Sequence, residues 1–500
     1  MELLNSLKKY FDTGPNNVLE KLRNRIDLFK KNLENNPQKL EIHKNACALL
    51  PLYIKKINSK TTNNLVKLSF VTMFLKYLGG NKDKIIWDQI KPLTNQDAVN
   101  YQELTQDDIK TGISNINKLA ILKLNGGLGT SMGCTGPKSA IKVDGNSSFL
   151  DIICKQILAQ RKKYNASLPL IFMNSFNTTT ETKSIIGNKI DYLEFLQNEF
   201  PKIDATTNAP FSFATDPSKE WNPPGHGDLF LSLTVSGTLI KLLAQGIKYV
   251  FISNSDNLGA VTDPAILGYM INQNLEFIVE TTPKTKADVK GGTIIRYQEH
   301  LSLLERAQVE EKNLSEFEDI QKFKIFNTNN IWLDLNALNS KFQKETILDL
   351  PLIINPKKVS DLPVIQLEQA MGAAIGIFNK TNTIIVDRNR FLPVKKTNDL
   401  LILQSDYLEK SPDGTFRFRP DNKLQAYPEI SFSSEFSTVE KYQEHFKSIP
   451  SLKGIEKLEV DGDVYFKENV SLKGNINIKS TKGQKLIIEN KELKNQNLTT

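Results

Sequence analysis

Residues 1–110 place their apolar side chains at helical intervals: Leu19, Leu22, Ile26 and Phe29 recur on one face of a 3.6-residue period, without strict strand alternation. The spacing predicts an N-terminal helical region. From there the pattern changes. Short apolar runs at 120–124, 168–173, 249–252 and 277–280 alternate with longer amphipathic stretches, a rhythm that predicts α/β layering around a mixed, mainly parallel sheet over residues 111–400. The first run leads into Asn125, Gly126, Gly127, Leu128, Gly129 and Thr130, and the third into Asn254, Ser255, Asp256 and Asn257. In open α/β sheets ligands bind beyond the carboxyl ends of strands, so two loops at the same edge can share one ligand. Across 401–500, short period-2 segments at 458–466 and 470–478 are separated by Gly and Asn. That pattern predicts stacked coils of a β-solenoid, with a small β-sandwich as the alternative.

At 500 residues the chain exceeds what a single core usually organises, and 39% apolar with 24% charged residues describes a globular protein rather than a disordered one. The net charge of +8 comes from scattered lysines, and no zinc-finger, basic-zipper or aromatic RNA-binding signature accompanies it. That balance suits a polyanionic small substrate at least as well as nucleic acid, and with no such signature nucleic-acid binding is not expected. Three cysteines, Cys47, Cys134 and Cys154, lack metal-ligand spacing and are too few for a disulfide framework. With no signal-like apolar core near Met1 and no run of roughly 18 apolar residues, the expectation is a cytosolic protein that contacts no membrane.

The strongest chemical signal is the run from Lys123 to Ser139, with glycines at 126, 127, 129 and 133 directly after a predicted strand. Glycines let the backbone approach a phosphate with bare N–H groups turned to the anion. Two better-known loops fail on spacing: the glycine after Gly127-x-Gly129 comes one residue late for a dinucleotide fingerprint, and Pro137 stands where a P-loop needs glycine before its lysine. His226, between Gly225 and Gly227, reads as a residue of an exposed tight turn, in a functional or a structural role. Asp256 could hold a metal through oxygen or cap a following helix as an Asx turn. Lys138 and Lys395, the latter following the strand-like Arg390 to Val394, would be solvated when taken alone.

Residues 121–141 resemble the signature loop of the eukaryotic-type UTP:glucose-1-phosphate uridylyltransferases. Further matching segments follow in that family's order: Pro224-Gly-His-Gly-Asp, Asn254-Ser-Asp-Asn-Leu-Gly-Ala, Lys286-Ala-Asp-Val-Lys-Gly-Gly, Phe326-Asn-Thr-Asn-Asn, Gln366-Leu-Glu and Arg390-Phe-Leu-Pro-Val-Lys. The resemblance spans nearly the whole chain. It implies a Rossmann-like nucleotidyltransferase domain, a C-terminal left-handed parallel β-helix and dependence on Mg²⁺. Carried over by residue, Leu124, Asn125, Gly126 and Gly127 would hold UTP with Lys138 facing its phosphates. Gln197, four residues before Pro201, would meet the nucleotide with Gly225, as would Asn254, Ser255 and Asp256. Asp256 would hold the metal, and Lys395 would bridge the phosphates of both substrates. Gly126, Gly127 and His226 would face the sugar phosphate, with Gly292, Glu305 and Asn329 at the sugar hydroxyls.

The implied reaction is in-line attack of glucose 1-phosphate on the α-phosphorus of UTP, giving UDP-glucose and pyrophosphate, with Lys138 and Lys395 as the catalytic cations. Thr135, where many members carry a basic residue, and Arg306, after Glu305 where an apolar residue is usual, depart from the pattern. A UDP-N-acetylhexosamine or broad UDP-sugar pyrophosphorylase, or a silent UDP-glucose-binding paralogue, is the alternative. Open solenoid ends lead to the expectation of a homo-oligomer through the C-terminal region.

Overall fold

A computed structural model describes residues 2–11, 17–80, 85–91, 93–94, 96–285, 288–421 and 427–500. The chain divides into two compact units. One comprises Met1–Ala120, Phe195–Phe251 and Ala265–Ile385, the other Ile121–Glu194, Ile252–Pro264 and Val386–Thr500. The composition-based regions 1–110, 111–400 and 401–500 cut the sequence elsewhere, because the two units interleave within 111–400.

In the first unit the helix Val18–Asn32 buries Val18, Leu22, Ile26 and Phe29. The face is the one predicted except at its start, where Val18 takes the buried position and Leu19 is half-buried. Asn63 caps the helix Asn64–Leu78 by accepting from the Leu65 and Val66 N–H groups. That helix is buried from Val66 to Leu75, more than an amphipathic surface helix would be. Its Phe70 and Phe74 rings lie 4.9 and 4.6 Å from Tyr53, and Phe70 meets Phe200 edge-on at 5.3 Å. The N-terminal helices therefore supply core to this unit. Two short strands, Ile90–Lys91 and Ala98–Asn100, also fall inside the region expected to be helical.

The sheet of this unit is mixed. Phe277–Pro283 runs antiparallel to Ile325–Asp334 and parallel to Thr381–Ile385, which pairs in parallel with Ala98–Asn100. Opposite the Glu280–Thr281 step the register jumps from Asn330 to Asn327. The extra residues form a bulge with Asn329 in the left-handed region at φ 60°, a device that re-aims a side chain.

The strand Leu119–Asn125, whose seven residues are all buried, enters the second unit at Ile121 and from there pairs in parallel with Leu170–Asn174. Burial on both faces explains why it reads as an unbroken apolar run. The helix Phe149–Tyr164 opens with a Ser148–Asp151 capping box. Toward the C-terminus Glu429–Phe432, Ile455–Asp461, Val470–Lys479 and Lys491–Thr499 pair in parallel in that order. A second row pairs Val464–Phe466 with Leu486–Ile488. Leu458, Val460, Leu472, Ile476, Ile478 and Leu493 fill the interior of the stack, and Gly462, Asn469, Asn490 and Asn495 turn its corners with positive φ. The α/β class with a mixed sheet is as expected from the sequence. Among the described residues no single helix is long and apolar enough to cross a membrane.

Candidate active site

Three strands, Leu119–Asn125, Leu170–Asn174 and Tyr249–Asn254, end in asparagine. In the second unit the glycine loop leaves Asn125 and folds back on itself: Cys134 N–H donates to Gly129 O at 3.0 Å and Lys138 N–H to Gly127 O at 3.2 Å. Gly129 is required by this fold-back, since a Cβ there would sit 2.9 Å from the Cys134 Cβ. Gly127 instead faces open space, with nothing within 4 Å of where a Cβ would lie. No side chain therefore stands between its backbone and an approaching anion.

The loop returns Lys138 to the strand ends, where its Nζ pairs with Asp256 Oδ2 at 2.5 Å, both side chains about four-fifths buried (19% and 20% exposed). The carboxylate of Asp256 is thus engaged with a lysine. It caps no helix, because the next one begins at Pro264. Ser255 N–H donates to Leu124 O at 3.0 Å. Asn257 Nδ2 donates to Arg390 O at 3.1 Å, and its Oδ1 accepts from Leu392 N–H at 2.9 Å. Lys123, wholly buried, donates to Ser253 Oγ at 2.8 Å and Ala260 O at 2.9 Å. These bonds fix the 254–257 loop from both sides.

Residues 390–394, strand-like in the sequence, form no strand. Arg388–Arg390 is a 3₁₀ turn, and Pro393, without an N–H, makes only an isolated bridge to Asn257. Lys395 follows, exposed. Its backbone N–H and that of Lys396 donate to Asp399 Oδ2 at 2.7 and 3.0 Å. Burial raises the Asp399 pKa, while those N–H bonds and the charges of Lys395 and Lys138 oppose the rise. One carboxylate therefore feels both lysines.

Among the described residues Asp256 belongs to no cluster of three or more His, Cys, Asp or Glu that could hold a metal ion. A single carboxylate fits Mg²⁺, which commonly takes one or two protein oxygens and completes its octahedron with phosphates and water.

The remaining candidates lie in the first unit. Gln197, buried, donates through Nε2 to Gly225 O at 2.6 Å. Gly225 has φ 78°, and a Cβ there would fall 2.5 Å from Gln369 O. The 3₁₀ turn His226–Asp228 is anchored by Asp228, which accepts from Asn198 N–H and Nδ2 at 2.7 and 2.8 Å and from Ser232 Oγ at 2.5 Å. His226 is half-buried, not exposed as its flanking glycines suggested, because Gly227 packs on Gln369 and draws the ring inward. Its Nδ1 accepts from the Met371 N–H at 3.1 Å, and desolvation lowers its pKa to about 4. The ring is therefore neutral at pH 7, with its proton on Nε2.

Gly292 abuts Glu305, whose Oε1 would be 2.8 Å from an added Cβ. Asn329, on the bulge, exchanges hydrogen bonds with Asn327 at 3.0 and 3.1 Å. Lys286 and Ala287, which open the Lys286–Gly292 motif, lie outside the described residues. Sequence reasoning missed Ser139, Asn174, Thr182, Met371 and Asp399. Strand-terminal asparagine, shared by 125, 174 and 254, is the one signal that pointed to any of them.

The family model for UTP–glucose-1-phosphate uridylyltransferase matches residues 68–473. The protein of that name from Hordeum vulgare is 44% identical over 440 residues, covering 85% of this chain and 93% of its own length. That from Saccharomyces cerevisiae is 41% identical over 433 residues, covering 84% and 86%. The UDP-glucose pyrophosphorylase of Leishmania major, solved in open and closed forms, superposes with a TM-score of 0.84 at 32% identity, covering 91% of this chain and 99% of that one. The Trypanosoma brucei structure, described as a UDP-glucose phosphorylase, gives 0.83 at 33% identity, covering 91% and 100%. By family match, identity and coverage together, this chain belongs to the UTP–glucose-1-phosphate uridylyltransferase family.

Proposed function

We propose that this chain transfers the uridylyl group of UTP to glucose 1-phosphate, giving UDP-glucose and pyrophosphate, with Lys138, Lys395 and a Mg²⁺ held at Asp256 carrying the electrostatics. The observation that carries the reading is the pairing of Lys138 with Asp256 where the glycine loop folds back, with Lys395 acting on the same Asp399 carboxylate as Lys138. The glycine loop orients the triphosphate so that its α-phosphorus is open to a phosphate oxygen of the sugar. No side-chain nucleophile enters, and the barrier is mainly repulsion between substrates of about four and about two negative charges. Lys138 turns from Asp256 to the phosphates, and Lys395 offsets charge developing on the pyrophosphate. Mg²⁺, when bound, supplies further positive charge to the phosphate oxygens. His226 offers its Nε2–H to the sugar phosphate without exchanging a proton, and Gly292, Glu305 and Asn329 select the sugar through its hydroxyls.

At an effective dielectric of about 20, one charge pair at ~4 Å is worth about 4 kcal/mol, roughly a thousandfold in rate if realised in the transition state alone. Lys395→Ala is thus expected to depress kcat by about that factor while UTP binding changes little. Retained kcat with a raised KM overturns the role.

The parallel C-terminal stack supports the finer reading of a left-handed β-helix within 401–500. Its open ends support a homo-oligomer, which a sedimentation mass of one chain would refute. Three free cysteines support a cytosolic setting.

A further inference from the structure

We propose that Asn125 is a positioning residue: its side chain makes no contact with nucleotide but holds the Lys138 and Asp256 loops in register, so that the lysine and the carboxylate that would hold Mg²⁺ are presented at a fixed spacing. The inference rests on the uridylyl-transfer reading and adds to it a part that no motif states.

Asn125 is 2% exposed. Its Nδ2 gives both its hydrogens, one to Asn174 Oδ1 and one to Thr182 Oγ1, each at 2.8 Å. Its Oδ1 accepts from Ser139 Oγ at 2.5 Å and from Ser255 Oγ at 3.0 Å. An asparagine amide has two donors and two lone pairs on oxygen, so its capacity is filled from within the protein. A nucleotide contact would require one of these bonds to break in a buried, low-dielectric place.

The partners give the arrangement its meaning. Ser139 follows Lys138 and Ser255 precedes Asp256, so one oxygen ties down the residues next to both members of the ion pair. The opposite end is anchored: Asn174 Nδ2 donates to Glu194 Oε2 at 3.0 Å, and Thr182 Oγ1 donates to Thr178 O at 2.7 Å within the helix Thr179–Ile186 and its lead-in. A buried network with every member satisfied is stiff. Stiffness matters here, because about 1 Å of misplacement can cost a hundredfold in rate.

The test compares wild type with Asn125→Ala, Ser139→Ala, Ser255→Ala and the double variant Asn125→Ala/Ser255→Ala. It measures kcat, KM for UTP and for glucose 1-phosphate, calorimetric binding of UTP with Mg²⁺, and the melting temperature. Asn125→Ala is expected to lower kcat by about 30- to 100-fold with the UTP dissociation constant within about threefold. Each serine variant is expected to lower kcat by about three- to tenfold, and Ser255→Ala to cost nothing further once the hub is gone, a non-additivity that marks a shared network. Weakened UTP binding with kcat retained overturns the proposal, as does a lower melting temperature with all kinetic constants unchanged. If Asn125→Ala does not fold, unchanged kcat in both serine variants overturns it instead. Wild type that forms no UDP-glucose refutes the uridylyl-transfer reading itself, a result distinct from active wild type beside unimpaired variants.

Discussion

His226 is expected to remain neutral throughout the range in which free histidines titrate. Desolvation takes its pKa from 6.5 to about 4, so that at pH 7 about one ring in a thousand is protonated. Because Nδ1 accepts the Met371 N–H, the neutral ring carries its proton on Nε2 and acts as a fixed donor. The chain has four histidines, so carbon-13 labelling of histidine with a His226→Asn variant for assignment gives a resolved titration. The His226 resonances should stay flat from pH 8 to about 5 and move only near 4. The sign for stability follows from the same shift: the unfolded chain binds a proton below 6.5 that the folded ring refuses until about 4. Stability is therefore full above pH 6.5, falls as pH drops from 6.5 toward 4, and loses no more from this group below that. The fall from 6.5 to about 4 bounds the loss at about 3 kcal/mol, and less because the ring is only half-buried. His226→Asn should flatten that part of the profile. A midpoint near 6.5 would refute the neutral-donor reasoning and mean that the ring is solvated.

Gly225→Ala should cut turnover with glucose 1-phosphate at least about tenfold, since its Cβ would collide with Gln369 O at 2.5 Å and displace His226. Gly246→Ala, at φ 82° with open space around it, carries only backbone strain and should leave kcat unchanged. Gly268→Ala should lower the melting temperature without altering kcat, because its Cβ would fall 1.7 Å from the Asp108 carbonyl oxygen, an overpacking worth about 1–3 kcal/mol.

Much of the fold could be read from pattern because burial on two faces leaves a plain apolar run. The predicted strand at 120–124 appears as Leu119–Asn125, and that at 277–280 as Phe277–Pro283. The parallel C-terminal stack was visible through its Gly and Asn corners. Residues 390–394 misled for a physical reason: apolar Phe391, Leu392 and Val394 mark burial, but burial alone does not make a strand where Pro393 lacks a donor. Family membership was legible from motifs spread over the chain. The ties between motifs were not, because the bonds from Asn125 reach as far as Ser255, 130 positions away, and no local pattern records such a contact. Likewise the flanking glycines of His226 indicated the tight turn but not Gln369 and Met371, which enclose it from a distant segment.

Mg²⁺-dependent pyrophosphate release from UTP, measured with glucose 1-phosphate beside the N-acetylglucosamine and galactose 1-phosphates, tests the central claim most directly. Rapid release with glucose 1-phosphate, slow release with the other two and none without the metal is the predicted result. Tight UDP-glucose binding with no release from any sugar phosphate would contradict it.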